Sequence, residues 1–338
     1  MWAYAARRVV IGVMLLLALT LVTFVLFFAS PADQARHACG KQCTDEQIAV
    51  TEKALGYDKP VYEQWGMFVK GLATGREFPA DPELKKTHPE FITDCDAPCL
   101  GYSKTNGKTV NYLIGKAAPV SVSLAVVAVV LWLAFGVSLG IIAAVVKGSI
   151  IDRGIVGLTL IIYAFPTFFL GVFFLKFVVV KWGILAYPGY VSIAEGGVAN
   201  WLNNLLLPGM TLALVFLASY VRMTRAFVLE SLGEDYIRTA RAKGLTSRRV
   251  LFKHALRAAL TPLVTMTGID FASLLGGAII TEQVFAYNGM GKLTVDSSQA
   301  WDLPTIIGIV VVAGAFVILA NIIVDICYAL IDPRVRLG

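Results

Sequence analysis

Six long apolar stretches constrain this chain more than any other feature. They run at about Val9 to Ala29, Ala118 to Val146, Ile155 to Val180, Leu205 to Val221, Leu263 to Val284 and Thr305 to Ile331. Each reaches or nearly reaches the roughly 20 residues a helix needs to cross the hydrocarbon core. With 57% hydrophobic and 15% charged residues, the chain is too apolar for an ordinary water-soluble domain. The expected class is an all-α integral membrane protein with about six transmembrane helices. The Leu205 stretch is the shortest, and Trp201 and Arg222 can tie its ends to the two interfaces.

The first stretch, "RRVVIGVMLLLALTLVTFVLFFASPA", has the basic start and small-residue end of a signal peptide. Its apolar run exceeds the roughly 7 to 15 residues of such a segment, so a retained anchor is expected. Short cytoplasmic loops collect Lys and Arg, which orients the chain. With the N-terminus inside, the inner side holds Arg7 and Arg8, Lys147 and Arg153, nine basic residues between Arg222 and Arg257, and Arg334 and Arg336. The two short outer loops hold only Lys181 and Lys292. The long outer segment carries ten Lys or Arg, but it exceeds the roughly 60 residues over which the rule applies. Both termini are therefore expected in the cytoplasm, in a multi-pass protein of the cytoplasmic (inner) membrane.

Three regions follow. Residues 1–30 form the N-terminal tip and first span, 31–115 an extracytoplasmic loop or small domain, and 116–338 a membrane core containing a cytoplasmic loop at 222–262. Within the outer segment, Thr44, Gln47 and Gly56 mark a short helix, with a capping box at its start and a glycine at its end. Four of the five cysteines lie there, as Cys39-x3-Cys43 and Cys95-x3-Cys99. Paired cysteines can bind zinc, but on the extracytoplasmic side disulfides form and persist, and disulfides are expected. Four cysteines allow three pairings, and spacing does not choose among them. Cys327, alone in the last span, reads as a small packing residue.

Catalytic chemistry finds little support. There are only three His, two of them (His37 and His88) in the outer segment, and neither HExxH nor GxSxG occurs. "NGMGKLT" invites a phosphate-loop reading, but Leu293 follows Lys292 and Ala286 occupies the leading Gly position. Ionisable residues within spans carry a cost and need a reason. Asp270 and Asp325 lie a few residues from expected cytoplasmic ends, and Lys176 lies near an outer end where it can snorkel. Asp270 is read either as an interfacial or interhelical hydrogen-bonding group or as part of a polar pathway. Ser273, Gly276 and Gly277 are read as a close helix-packing site or as pathway lining. Pro166 and Pro208 are expected to kink their spans.

The polar run "EDYIRTARAKGLTSRR" between two apolar spans has acids first (Glu234, Asp235), bases later (Arg238, Arg241, Lys243), then Gly244. That order suits a short helix and its macrodipole, with the glycine as terminator. A second helix, capped at Thr246 or Ser247, should run up to Pro262. The segment can be topology-setting charge near anionic lipid, a nucleic-acid patch, or a docking element with Tyr236, Ile237 and Ala240 as its apolar face. The nucleic-acid reading has no DNA-reading fold behind it.

"EDYIRTARAKGLTSRRVLFKHALRAALTPLVT" resembles the cytoplasmic signature of permease subunits of binding-protein-dependent ABC importers, in the dipeptide, oligopeptide and nickel branch. "APVSVSLAVVAVV", "GSIIDR", "FPTFFLG", "LLGGAIITEQVFAYNGMGKL" and "NIIVDICYALIDPRVR" agree. The broader signature has Glu-Ala-Ala six residues before a Gly, and a later Leu-Pro. Here Arg238, Thr239 and Ala240 precede Gly244, and Arg257 follows Leu256, departures similar to those of the peptide branch. The stretch from Gly75 to Cys99 and the Cys39/Cys43 pair fall outside the family pattern.

The resemblance implies a type I ABC importer transmembrane fold with a disulfide-containing extracytoplasmic loop. It implies a second homologous permease subunit, two cytoplasmic ATPase subunits and an extracytoplasmic substrate-binding protein. ATP and magnesium would belong to the ATPase partners, leaving no cofactor, metal or catalytic residue in this chain. Glu234, Asp235, Tyr236, Ile237, Arg238, Thr239, Ala240, Arg241 and Gly244 are then the ATPase-coupling residues. Asp270, Ser273, Gly276 and Gly277 are tentative pathway residues. The outer loop and "EQVFAYNGMGKLTVDSSQAW" would meet the binding protein and gate the outer mouth. Peptide is the expected cargo, with nickel or another small solute as the alternative. A stand-alone secondary transporter would show paired broken helices or an internal repeat, and neither is evident.

Overall fold

A computed structural model describes residues 2–28, 34–39 and 43–331. Arg334 and Arg336 and the side chains of Asp325 and Cys327 lie outside the described residues. Among the described residues five helices are long and apolar enough to cross a membrane: Arg7–Phe27, Val110–Val145, Ile193–Gly233, Ser247–Leu275 and Leu303–Ile323. A sixth candidate is a bent pair, Ile150–Tyr163 and Thr167–Lys181, whose axes differ by 96°.

Two of the expected spans are interrupted. The stretch from Ile155 to Val180 is not a kinked helix but two helices, with Pro166 as the extended N-cap of the second (ψ 146°). The residue before a proline is pushed out of the helical region, so a chain free to bend will stop there. The stretch from Leu263 to Val284 divides likewise into Leu256–Leu275 and Ile279–Val284. Pro262, expected to end a cytoplasmic helix, instead lies inside Leu256–Leu275. That helix continues from Ser247–Arg249 through a π-wound turn at Val250–Ala255.

The chain forms two compact units. The first comprises Val120–Tyr287 with the chain from Val317 onward. Its axis is Ile193–Gly233, helical apart from a kink at Gly197 (φ 72°), against which Ser138–Val145, Ile150–Tyr163 and Leu256–Leu275 pack. Gly140 sets the approach of the first pair: a Cβ there would stand 2.5 Å from Thr224 Cβ. Small residues supply such close contacts in membranes, where lipid already satisfies apolar surface.

The second unit comprises Trp2–Pro119 and Asn288–Phe316. Here the first helix and the polar segment share one core, formed by Phe24, Phe68, Leu100, Val110, Ile114 and Ile307 among others. Trp65 Nε1 donates to Thr20 Oγ1 at 3.0 Å, and the Phe24 and Phe68 rings lie 5.2 Å apart. The Asp45–Leu55 helix begins with the expected capping box, Thr44 with Gln47, and ends at Gly56 in the left-handed conformation (φ 76°). Two short antiparallel pairs follow, Arg76–Phe78 with Thr93–Cys95 and Tyr102–Ser103 with Lys108–Thr109. Of the three possible pairings the structure has the local one, Cys39–Cys43 and Cys95–Cys99. Cys95 and Cys99 are buried with Phe78 and Tyr102 packed on them.

Candidate functional site

Two regions of the first unit hold the residues singled out from sequence. One is the helix and glycine turn after the long helix. Glu234, in extended conformation (ψ 151°), separates Ile193–Gly233 from the Asp235–Ala242 helix. Asp235 stands in the first turn and Arg241 in the last, the polarity that complements the helix dipole. Gly244 has φ +76°, and the turn closes as Gly244 N–H donates to Arg241 O and Leu245 N–H to Ala240 O at 3.3 Å. This back-bonding through a left-handed residue is the glycine-terminated helix end read from the sequence.

The helix is held from within. Ile237 and Ala240 are buried against Val250, Ala255, Leu245 and Leu251. The apolar docking face proposed from sequence is therefore narrower than expected, because Ile237 and Ala240 face the chain's own next turn. Tyr236 remains 44% exposed, its Oη 3.3 Å from Ser231 Oγ. Glu234, Asp235, Arg238, Thr239, Arg241 and Gly244 are exposed. Arg238 Nη1 reaches Asp235 Oδ1 at 3.2 Å, and Thr239 Oγ1 donates to Asp235 O. The outward face is thus a tyrosine rimmed by charge of both signs.

The other region surrounds the break at Gly276–Gly277. Gly276 closes the Leu256–Leu275 helix and Gly277 takes φ +111°, a conformation that side chains disfavour. The pair thus interrupts a helix rather than merely letting two helices approach. Asp270 stands near this break rather than near the helix start, where an interfacial position was expected. The fully buried Tyr220 donates from Oη to Asp270 Oδ2 at 2.8 Å, with Thr267 Oγ1 3.3 Å from the same oxygen. Trp132 packs on Tyr220 and stacks on Phe216. Ser273 is exposed and donates to Asp270 O at 2.7 Å. Asp270 and Ser273 are thereby oriented together, one oxygen of the carboxylate fixed by a rigid aromatic.

Three further polar anchors escaped the sequence reading. Glu282 is completely buried and accepts from Ser121 Oγ at 2.6 Å. It opens "EQVFAYNG", read as an outward contact segment, whereas Phe285, Tyr287 and Met290 are also buried. Exposed residues of that segment include Gln283, Ala286 and Asn288 early on and Asp296, Ser298 and Trp301 later. Arg225, read only as topological charge, makes a two-pronged pair with buried Asp152: Nε to Oδ1 and Nη2 to Oδ2, both 2.7 Å. Gly148 N–H completes the Asp152 shell at 2.8 Å. The one available signal was the acid in "GSIIDR", an ionisable group at the edge of an apolar stretch.

Residues 136–337 match the family described as "Binding-protein-dependent transport system inner membrane component", and residues 1–125 match its N-terminal companion. A probable peptide ABC transporter permease from Sinorhizobium fredii is 33% identical, covering 99% of this chain and all of the relative. The dipeptide transport system permease of Escherichia coli K12 is 32% identical over 99% of both chains. The di/tripeptide permease of Pseudomonas aeruginosa is also 32% identical, again over 99% of both. In fold, the chain is similar to the MetNI methionine ABC transporter in an inward-facing form (TM-score 0.52, 20% identity, 65% of this chain and 97% of that one). ATP hydrolysis in such systems belongs to separate ATPase subunits, and the permease carries no cofactor of its own. With the long-helix scaffold, the interrupted spans and the glycine-ended surface helix all in one chain, this protein belongs to the inner-membrane permease components of binding-protein-dependent ABC transporters.

Proposed function

We propose that this chain is one of two membrane subunits of an ATP-driven peptide importer and supplies half of its translocation pathway. The observation that carries this reading is the 32–33% identity, over 99% of the chain, to permeases named for peptides and dipeptides. A second, similar permease, two cytoplasmic ATPases and an extracytoplasmic binding protein complete the complex in the lipid bilayer. Both termini lie in the cytoplasm, a reading supported by the arginine and lysine asymmetry of the short loops.

In this scheme residues 1–30 enter the membrane, 31–115 lie outside, and 116–338 form the core with its ATPase-facing loop at 222–262. The exposed residues of Glu234–Gly244 sit in a cleft of an ATPase subunit. Closure of the ATPase pair moves this helix and, through the buried Ile237 and Ala240, the helix beginning at Ser247. A docked element biases a two-state membrane core only if it is held differently in the two states, which a helix clamped from both sides can supply. Asp270, Ser273, Gly276 and Gly277 line the pathway, since a carboxylate beside a helix break is costly against lipid and useful beside water.

The test is ATP hydrolysis by the reconstituted complex with its binding protein, challenged with di- and oligopeptides, single amino acids and nickel salt. Peptides should stimulate hydrolysis and the others should not. Stimulation by nickel or amino acids alone would replace the cargo while leaving the family intact.

A further inference from the structure

The second unit contains a half-buried cation, Arg76, whose Nε is fully buried and which no carboxylate among the described residues pairs with. Arg76, at the start of the Arg76–Phe78 strand, lies with its stem across Gly71, where a Cβ would stand 2.6 Å from Arg76 Nε. The missing side chain at position 71 is thus what admits the guanidinium to the interior. The group stacks against the rings of Phe78 (5.1 Å) and Phe68 (5.8 Å). Its buried Nε has no hydrogen-bond partner. Among the described residues no carboxylate forms an ion pair with it.

Asp302, the acid in this neighbourhood, is committed elsewhere. It accepts from Ser103 Oγ at 2.6 Å, Thr305 Oγ1 at 2.7 Å and Asn106 Nδ2 at 3.3 Å. Burial pulls the Arg76 guanidinium down to about 10, a measure of how poorly the surroundings replace water. Buried cations ordinarily have a paired anion or a full set of acceptors. Aromatic faces supply part of that compensation but accept no in-plane N–H bond.

Beside the guanidinium is a cavity of about 50 Å³, lined by Tyr57, Gln64, Phe68, Phe78 and Pro304 as well as Arg76. A space of that size exceeds what one water needs. We propose that this cavity binds a small monovalent anion, of chloride or acetate size, on the Arg76 guanidinium. The guanidinium fork offers the in-plane donors that such an anion accepts, and the aromatic and aliphatic part of the lining lowers the local dielectric and so strengthens the attraction. The occupant would complete the charge balance of the core that joins the first helix, the polar segment and the last helix. This reading does not depend on the transported cargo.

The test uses the full-length chain in its purified complex, and reads thermal midpoints at constant ionic strength as gluconate is replaced by chloride or acetate. Gluconate is too large for the cavity. Chloride and acetate should raise the midpoint of the wild-type protein by about 2 °C or more at saturating concentration. Arg76→Gln should be insensitive to the exchange. Equal midpoints in chloride and gluconate for the wild type, or a shift that persists in Arg76→Gln, would overturn the site. Because Arg76→Gln can fail to fold, crystals of the wild type in bromide provide an independent reading. An anomalous peak against the guanidinium supports the proposal, and its absence refutes it.

Discussion

The two polar regions of this chain are held in opposite ways. The Asp235–Ala242 helix is a single short element, tied down by two buried apolar side chains and a left-handed glycine, with its charges left outward. The region between the first and second spans has two local disulfides, a capping box and an aromatic core shared with the first and last helices. The first design suits the coupling role proposed for it, a surface gripped by a partner that still transmits movement. The second design suits the extracytoplasmic position proposed for that segment, where disulfides form and persist. The contrast predicts that damage to the first region will be abrupt and local, whereas damage to the second will be graded.

The largest effect should follow Ile237→Ala. The side chain is fully buried, and truncation of a buried isoleucine costs about 2 to 5 kcal/mol. Eight residues make too short a helix to persist without its packing, so the element should melt rather than loosen. Limited trypsin digestion should then cut at Arg238, Arg241 or Lys243 in the variant and not in the parent, with ATPase subunits lost from the purified complex. Resistance to trypsin in the variant would show that this helix is held by something other than its apolar face.

In the region between the first and second spans, replacing Cys95 and Cys99 together by Ala should cost about 2 kcal/mol from the five-residue loop they close, by the chain-entropy model, and somewhat more from packing lost at Phe78 and Tyr102. The same change at Cys39 and Cys43 removes a loop of equal length, with Cys39 only half-buried. The first pair should therefore lower the thermal midpoint more than the second. The reverse order would mean that the core around Cys95 and Cys99 is not what stabilises this region.

What sequence could and could not show follows the same division. Long apolar runs announce spans because lipid leaves the backbone no other partner. Gly244 and the Thr44–Gln47 box were legible because caps depend on neighbours within a few residues. The breaks at Pro166 and Gly276–Gly277 were not, since Pro208 and Pro262 sit inside helices that run on past them in the same chain. Whether proline or glycine ends a helix in a membrane depends on whether other helices re-satisfy the freed backbone groups, and that information is tertiary. The inward turn of Ile237 and Ala240 was hidden for a related reason: an apolar stripe reports that a face is covered, without reporting by what. Glu282 and the Asp152–Arg225 pair were concealed because each partner lies more than 70 residues away.

The smaller test at the glycine turn separates geometry from charge. No atom lies within 4 Å of where a Cβ on Gly244 would be, so a side chain there meets open space and only backbone strain opposes it. Gly244→Val, with a branched residue forced to φ +76°, should cost about 1 to 2 kcal/mol. Asn tolerates the left-handed region, so Gly244→Asn should lose little of that.

Smallest in stability, and most informative, is the paired change Arg238→Ala with Arg241→Ala. Both side chains are exposed, and the Arg238–Asp235 contact is a solvent-screened pair three residues apart on one helix turn. Such pairs add little, so the thermal midpoint should not move measurably. If the outward charges only set topology or sit near lipid, peptide-stimulated ATP hydrolysis should also be unchanged once the protein is correctly inserted. If they engage an acidic surface of an ATPase subunit, stimulated hydrolysis should fall several-fold while binding of the ATPase becomes weaker and less sensitive to salt, because the exposed charge pairs that salt screens over about 8 Å at physiological ionic strength are gone. Reversing both charges with Glu should deepen the loss. Full activity in the Glu variant would remove these arginines from the coupling surface and leave Tyr236 and the turn geometry as its remaining determinants.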